Sequence, residues 1–232
     1  MAIFDLFSSA TQKADEVAKF NALKKGKTPE QQRVIDFFYD AGAGGCFSKS
    51  ASTYTFAEYQ KLVLDKCKSF NFEKLAFEKI GLDESQVQEI PPVFLSSFHF
   101  TDDCRIKVQS NQAVSNLYSV TVIYFSATQL YTYQFIFDMM SDNTWEYTND
   151  YFYSDITCFS TTKQVKEKID VDLISGCFKK GTEKITKNNY VIDKLEIVVP
   201  GSTFSFSMRN SDTVDQSIQA AKAMIREKKH AI

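Results

Sequence analysis

At Pro91-Pro92 the hydrophobic period of the chain changes from helical to two, and this switch constrains the fold more than any other feature. Before it, apolar residues recur at helical spacing between capping signals. Residues 2–23 set Phe7, Ala10, Ala14, Val17 and Ala18 on one stripe. Thr28-Pro29-Glu30-Gln31 then supplies an N-cap threonine, a proline at the first helical position and a glutamine where a capping box needs it. The helix it opens carries Val34, Phe37 and Phe38 and should stop near Gly42. A second box, Thr55 with Glu58, opens a helix bearing Tyr59, Leu62, Val63 and Cys67. A further helix through Phe72, Leu75, Ala76 and Ile80 ends at Gly81, which suits a left-handed C-cap. Two consecutive prolines then forbid helix continuation.

From Val93 the runs read as strands: VFLSSFHF, CRIKVQS, LYSVTVIYFS and QLYTYQFIFD, the last with Tyr131, Tyr133, Phe135 and Phe137 on one face. The stretch YFYSDITCFS, residues 151–160, reads as the next strand, with Asp155 in a structural role. A charged insert, 161–189, expected to be a lysine-rich loop, precedes NYVIDKLEIVV and TFSFSMR. Pro200-Gly201 fits the centre of a type II turn between these two runs. Asp212 is the expected cap of a last helix striped by Val214, Ile218, Ala221 and Ile225.

Composition agrees with a sheet-rich core: 21 Phe and 11 Tyr stand against 8 Gly in 232 residues. A formal charge of −2 gives no global attraction to nucleic acid. Five cysteines, Cys46, Cys67, Cys104, Cys158 and Cys177, are widely spaced with no C-x-x-C pair, so reduced thiols are expected, without a disulfide framework or zinc knuckle. With no apolar leader and no long apolar run, a cytoplasmic location without a transmembrane segment is expected.

The order of elements, about seven antiparallel strands and one amphipathic C-terminal helix, resembles the pleckstrin-homology-like (PH-like) fold, particularly its bacterial versions. The resemblance is carried by Tyr153-Ser154-Asp155-Ile156 and by LEIVVPGSTFSFSM leading into the last helix, and it spans residues 93–228. With the change of period at Pro91-Pro92, an α+β chain in two parts is expected. Residues 1–90 are expected to form a helical N-terminal region, which the family plan does not include. The resemblance implies that residues 93–232 form a PH-like antiparallel β-barrel or sandwich closed by the C-terminal helix, a scaffold for binding that names no ligand.

Candidate chemistry is sparse. AGAGGCFSKS ends in Lys49-Ser50, but Ala43 and Ser48 stand where a phosphate-binding loop needs glycine. His99 has one other histidine in the chain, His230 in the tail, so a strand histidine is expected. Cys104 is near enough in sequence for a Cys-His pair across a hairpin. Asp138, Asp142, Glu146, Asp150 and Asp155 form an acidic series without EF-hand spacing. The insert carries Lys163, Lys166, Lys168, Lys179, Lys180, Lys184 and Lys187. The first five are the candidate binding residues for an anionic lipid surface or phosphate. No catalytic residue, metal ligand or cofactor is assigned. The sequence reads as a non-enzymatic intracellular protein that binds a protein or peptide. Anionic-lipid binding through the insert is the alternative, and a hydrolase using His99 with a nearby acid or thiol stands behind both.

Overall fold

A computed structural model describes residues 21–39, 53–83, 90–101, 103–109, 112–176, 179–209 and 211–230, with backbone alone for 168–176 and 179–188. The expected N-terminal stripe from Phe7 to Ala18, the AGAGG stop with Lys49-Ser50, and Cys46 and Cys177 lie outside these residues.

The capping signals act as the sequence requires. Helix α1 (Pro29–Tyr39) starts where the Thr28 amide donates to Gln31 Oε1 at 3.0 Å and the Gln31 amide donates to Thr28 Oγ1 at 3.2 Å. Helix α2 (Phe56–Ser69) carries the reciprocal Thr55–Glu58 box, and α3 (Phe72–Ile80) ends on Gly81 at φ 74°. That left-handed conformation is why a glycine stands there.

Beyond the prolines come β1 (Val93–Phe98), β2 (Ile106–Gln109), β3 (Gln112–Ser115), β4 (Leu117–Phe125), β5 (Gln129–Asp138) and β6 (Thr144–Phe152). They are followed by β7 (Cys158–Gly176), β8 (Lys179–Val199), β9 (Ser202–Met208) and helix α4 (Asp212–His230). The chain is α+β, with three antiparallel sheets: β1-β4-β5-β6, the hairpin β2-β3, and β7-β8-β9. The sheets do not close into a barrel. The first and third meet where the Arg209 amide donates to Ser96 O at 2.9 Å.

The middle of the four-stranded sheet is covered on both faces, which explains why every residue of β4 is buried. Helices α1–α3 lie on one face: Val34, Phe37, Tyr59, Val63 and Ala76 share a core with Tyr118, Val120, Val122, Tyr133, Phe135 and Phe137. On the other face, Leu95, Ile123, Phe125 and Leu130 pack with Leu195, Ile197, Phe206 and Met208 of the third sheet and with Ile218, Ala221, Met224 and Ile225 of α4.

Three expectations change. Residues 151–160 are not one strand: β6 ends at Phe152, Tyr153–Asp155 make a single 3-10 turn, and β7 begins at Cys158. The chain changes sheets there, and buried Tyr153, whose hydroxyl donates to Ser126 O at 2.8 Å, anchors the change. The cap of α4 is Ser211, not Asp212, since Ser211 Oγ accepts from the Val214 amide at 3.3 Å. Asp212 falls in the first turn, where its charge still favours the helix N-terminus. Finally, 161–189 is not a loop. Strands β7 and β8 run through it as one ladder from Cys158↔Val198 to Gly176↔Lys179, with a register shift between Ile174 and Gly176.

Burial holds the phenols of Tyr59, Tyr118, Tyr124, Tyr133 and Tyr151 above their ordinary value of 10, Tyr124 and Tyr151 at about 12. The unfolded chain ionises its tyrosines first, so their contribution to stability is whole below pH 10 and lost as the pH rises through the folded values. Denaturation midpoints measured from neutral pH to about 12 should therefore fall only above about 10, with the phenolate absorbance of these five rings appearing together with unfolding. Phenolate absorbance growing at full strength in a still-folded chain would show these rings to be accessible.

Candidate functional site: the β6 edge and the His99 cleft

Strand β6 is the last in its sheet and pairs only with β5, from Gln129↔Phe152 to Phe137↔Thr144. Its outer backbone edge has no strand partner among the described residues. The alternation of a strand divides its side chains. Toward the helices, Glu146 accepts from the Tyr133 hydroxyl at 3.0 Å and pairs with Lys79 at 3.3 Å. Toward the third sheet, Tyr151 is buried edge-on to Phe204 at 5.0 Å. Trp145 and Tyr147 continue that row past the cover of β7–β9 and are 41% and 51% exposed.

An open cleft of about 410 Å³ adjoins them, lined by His99, Thr101, Asp103, Asn116, Trp145 and Tyr147 among others. A second, of about 510 Å³, lies at the far end of the strand beside Asp150, Phe152, Asp155 and Phe204. Phe152 is 54% exposed. From Trp145 to Phe152 the strand spans about 24 Å. The edge is thus bracketed by two hollows, each with an exposed aromatic and an acidic residue on its wall.

His99 follows β1, with its amide donating to Leu117 O at 3.0 Å. Burial lowers its pKa, favouring the neutral ring. Cys104, the thiol read as its possible partner, and Asp138, an acid lining the same cleft, are held by hydrogen bonds of their own. Cys104 Sγ shares a hydrogen bond with Ser115 Oγ at 3.1 Å. The Asp138 carboxylate accepts from Ser141 Oγ at 2.7 Å, the Met140 amide at 3.0 Å and Asn116 Nδ2 at 3.2 Å, which builds the β5–β6 turn.

The acidic series is likewise dispersed. Asp142 accepts from Gln31 Nε2 at 2.8 Å, and Asp155 accepts a side-chain bond from its neighbour Ser154 at 3.2 Å. Among the described residues no three His, Cys, Asp or Glu side chains are grouped to hold a metal ion. Of the described cysteines, Cys67 and Cys104 are half-buried and Cys158 is exposed.

The five candidate lysines do not converge. Lys163 is exposed at the root of the β7–β8 ribbon, opposite Asp193. The Lys166 ammonium lies 6.0 Å from the centre of the Phe100 ring. Lys168 stands opposite Asn188, and Lys179 stands opposite Gly176 at the far end, with Lys180 beside it. Strand rise separates Lys163 from Lys179 by about 40 Å.

Sequence reasoning missed β6 as a surface. Alternation in TWEYTND was there to read, but whether Trp145 and Tyr147 face a core or water depends on where the third sheet stops. No helix among the described residues is long and apolar enough to cross a membrane. No family model matches the chain, and neither a curated protein nor a solved structure matches it.

Proposed function

We propose that the protein is a non-enzymatic intracellular binding protein built on a PH-like domain, and that it takes an extended peptide as an added strand along the outer edge of β6. The observation that carries this reading is the β6 edge, which has no strand partner among the described residues, with Trp145 and Tyr147 exposed side by side on the wall of one cleft and a second cleft at the far end of the strand. Backbone groups along an open edge supply affinity, and pockets beside alternate side chains supply specificity. Asp103 at one cleft and Asp150 with Asp155 at the other favour a peptide carrying basic residues near its ends.

The PH-like assignment is supported by seven of the strands. β1 with β4–β6 forms four, β7–β9 forms three, and α4 packs across the core between them. Hairpin β2-β3 and helices α1–α3 are additions to that plan. Anionic-surface binding is the second reading, favoured by the arrival of Lys179 and Lys180 at the far end of a long ribbon.

The test is selection from a random peptide display library on the immobilised full chain, followed by titration of the selected peptides. Wild type should enrich peptides with alternating aromatic or apolar residues. The double variant Trp145→Ala, Tyr147→Ala should bind them at least about tenfold more weakly, with an unchanged unfolding midpoint, since exposed anchors carry binding and little stability. Peptides that bind both proteins equally would remove β6 as the site.

A further inference from the structure

The β7–β8 ribbon outgrows its sheet. Strand β9 accompanies β8 only from Asp193↔Met208 to Val199↔Ser202. From Lys163↔Asp193 outward the ladder continues as two strands to Gly176↔Lys179, about 40 Å beyond the last three-stranded rung. Two strands alone are marginal in water and need a further strand or layer. At the root, one side leans on the body, where Phe100 stacks on Tyr190 at 6.4 Å. The other side shows directly opposed Val165 and Val191, 65% and 49% exposed. Ile169, Val171 and Leu173 occupy positions of the same parity as Val165. β7 is the outer strand of its sheet, so its other edge has no strand partner among the described residues.

Charge along that edge decides what it fits. Edges are commonly protected by lysines, which repel a second copy. Here Lys163, Lys166 and Lys168 outnumber Glu167 in the inner half of the free stretch, whereas Asp170 and Asp172 are the charges of the outer half. An antiparallel second copy brings inner half against outer half. A two-fold axis perpendicular to the sheet keeps each side of the ribbon on its own side, so odd-numbered residues stand only opposite odd ones. With the axis at Ile169, Lys168 stands opposite Asp170 of the second copy, Lys166 opposite Asp172, Val165 opposite Leu173, and Glu167 opposite the uncharged Val171. Each neighbouring register sets like charges face to face: Lys168 on itself, Asp170 on itself, Lys166 on Lys168, or Asp170 on Asp172. The β8 edge does not offer this, because between Lys179 and Ile192 its four lysines face a single acid, Glu183.

We infer that β7 pairs with β7 of a second copy of this chain, antiparallel about Ile169, joining two three-stranded sheets into one of six. Such an interface is isologous and closes at a dimer. It uses a surface separate from the β6 edge.

The experiment is sedimentation equilibrium of the full chain at low salt, up to about 100 µM, on wild type, Lys168→Asp, Asp170→Lys and their combination. Circular dichroism checks that each is folded. Wild type should dimerise, and each single swap should weaken the dimer roughly tenfold or more, because it sets like charges opposite each other twice. The two single variants mixed in equal amounts should dimerise with each other, and the combined variant should dimerise with itself, since both restore opposite charges. A dimer indifferent to the swaps would overturn the pairing. So would a wild type that is monomeric throughout; if that monomer adhered to vesicles of phosphatidylcholine with phosphatidylserine, the ribbon would belong to the anionic-surface reading.

Discussion

Ile218→Ala should lower the unfolding free energy by about 2–5 kcal/mol, from lost apolar burial and the cavity left behind. Ile218 is 1% exposed and sits in the core that joins α4 to β1, β4 and the third sheet. Its neighbours on the stripe, Ala221 and Ile225, are also buried, so the helix has no room to settle into the space. The helix end is tied down as well, because Lys229 donates to Ile156 O beside the sheet-changing turn. Chemical denaturation of wild type and variant measures the difference. A midpoint shift worth well under 1 kcal/mol would mean that α4 rests on the surface and does not close the core.

Tyr59→Ala should cost about 3–5 kcal/mol, the range for deleting a large aromatic from a core. The ring is fully buried, stacked on Phe37 at 4.8 Å and edge-on to Phe38 at 5.2 Å. Its hydroxyl donates to Ser115 O at 2.6 Å, tying α2 to the end of β3. Tyr59→Phe keeps the packing and should cost about 1 kcal/mol, the net worth of the hydrogen bond. Because this core is shared by helices and sheet, the Ala variant should unfold in one transition with helix and sheet signals moving together. A variant that loses helical signal early while the sheet keeps its wild-type midpoint would show that α1–α3 melt as a separate unit.

What could be read in advance was local chemistry. Thr28 with Gln31, Thr55 with Glu58, Gly81, and Pro200-Gly201 are encoded within a few residues, and each takes the role its side chain or its missing Cβ requires. Gly201 turns at φ 81° between β8 and β9, as the Pro-Gly pair demands. The strand at Val93 and the buried stripe of α4 followed from period alone. The misreadings came where a residue's role depends on distant chain. Tyr153-Ser154-Asp155 has the alternation of a strand, but it folds as a 3-10 turn with Tyr153 buried in the core shared by the third sheet and α4. The lysine-rich insert has the composition of a loop, yet its described backbone pairs as one antiparallel ladder out to Gly176↔Lys179.

The sequence by itself determined where elements start and stop, which faces are apolar, and that helices precede an antiparallel sheet with a helix after it. These depend on capping, backbone freedom and periodicity, all of which act within a turn or two of chain. Only the tertiary structure decided that the middle of the four-stranded sheet is covered on both faces, that Trp145 and Tyr147 are exposed on its edge strand, and that β7 is the outer strand of its sheet among the described residues. Those outcomes are set by which surfaces remain uncovered once the layers have packed. A side chain carries no local mark of whether a neighbour distant in sequence will cover it.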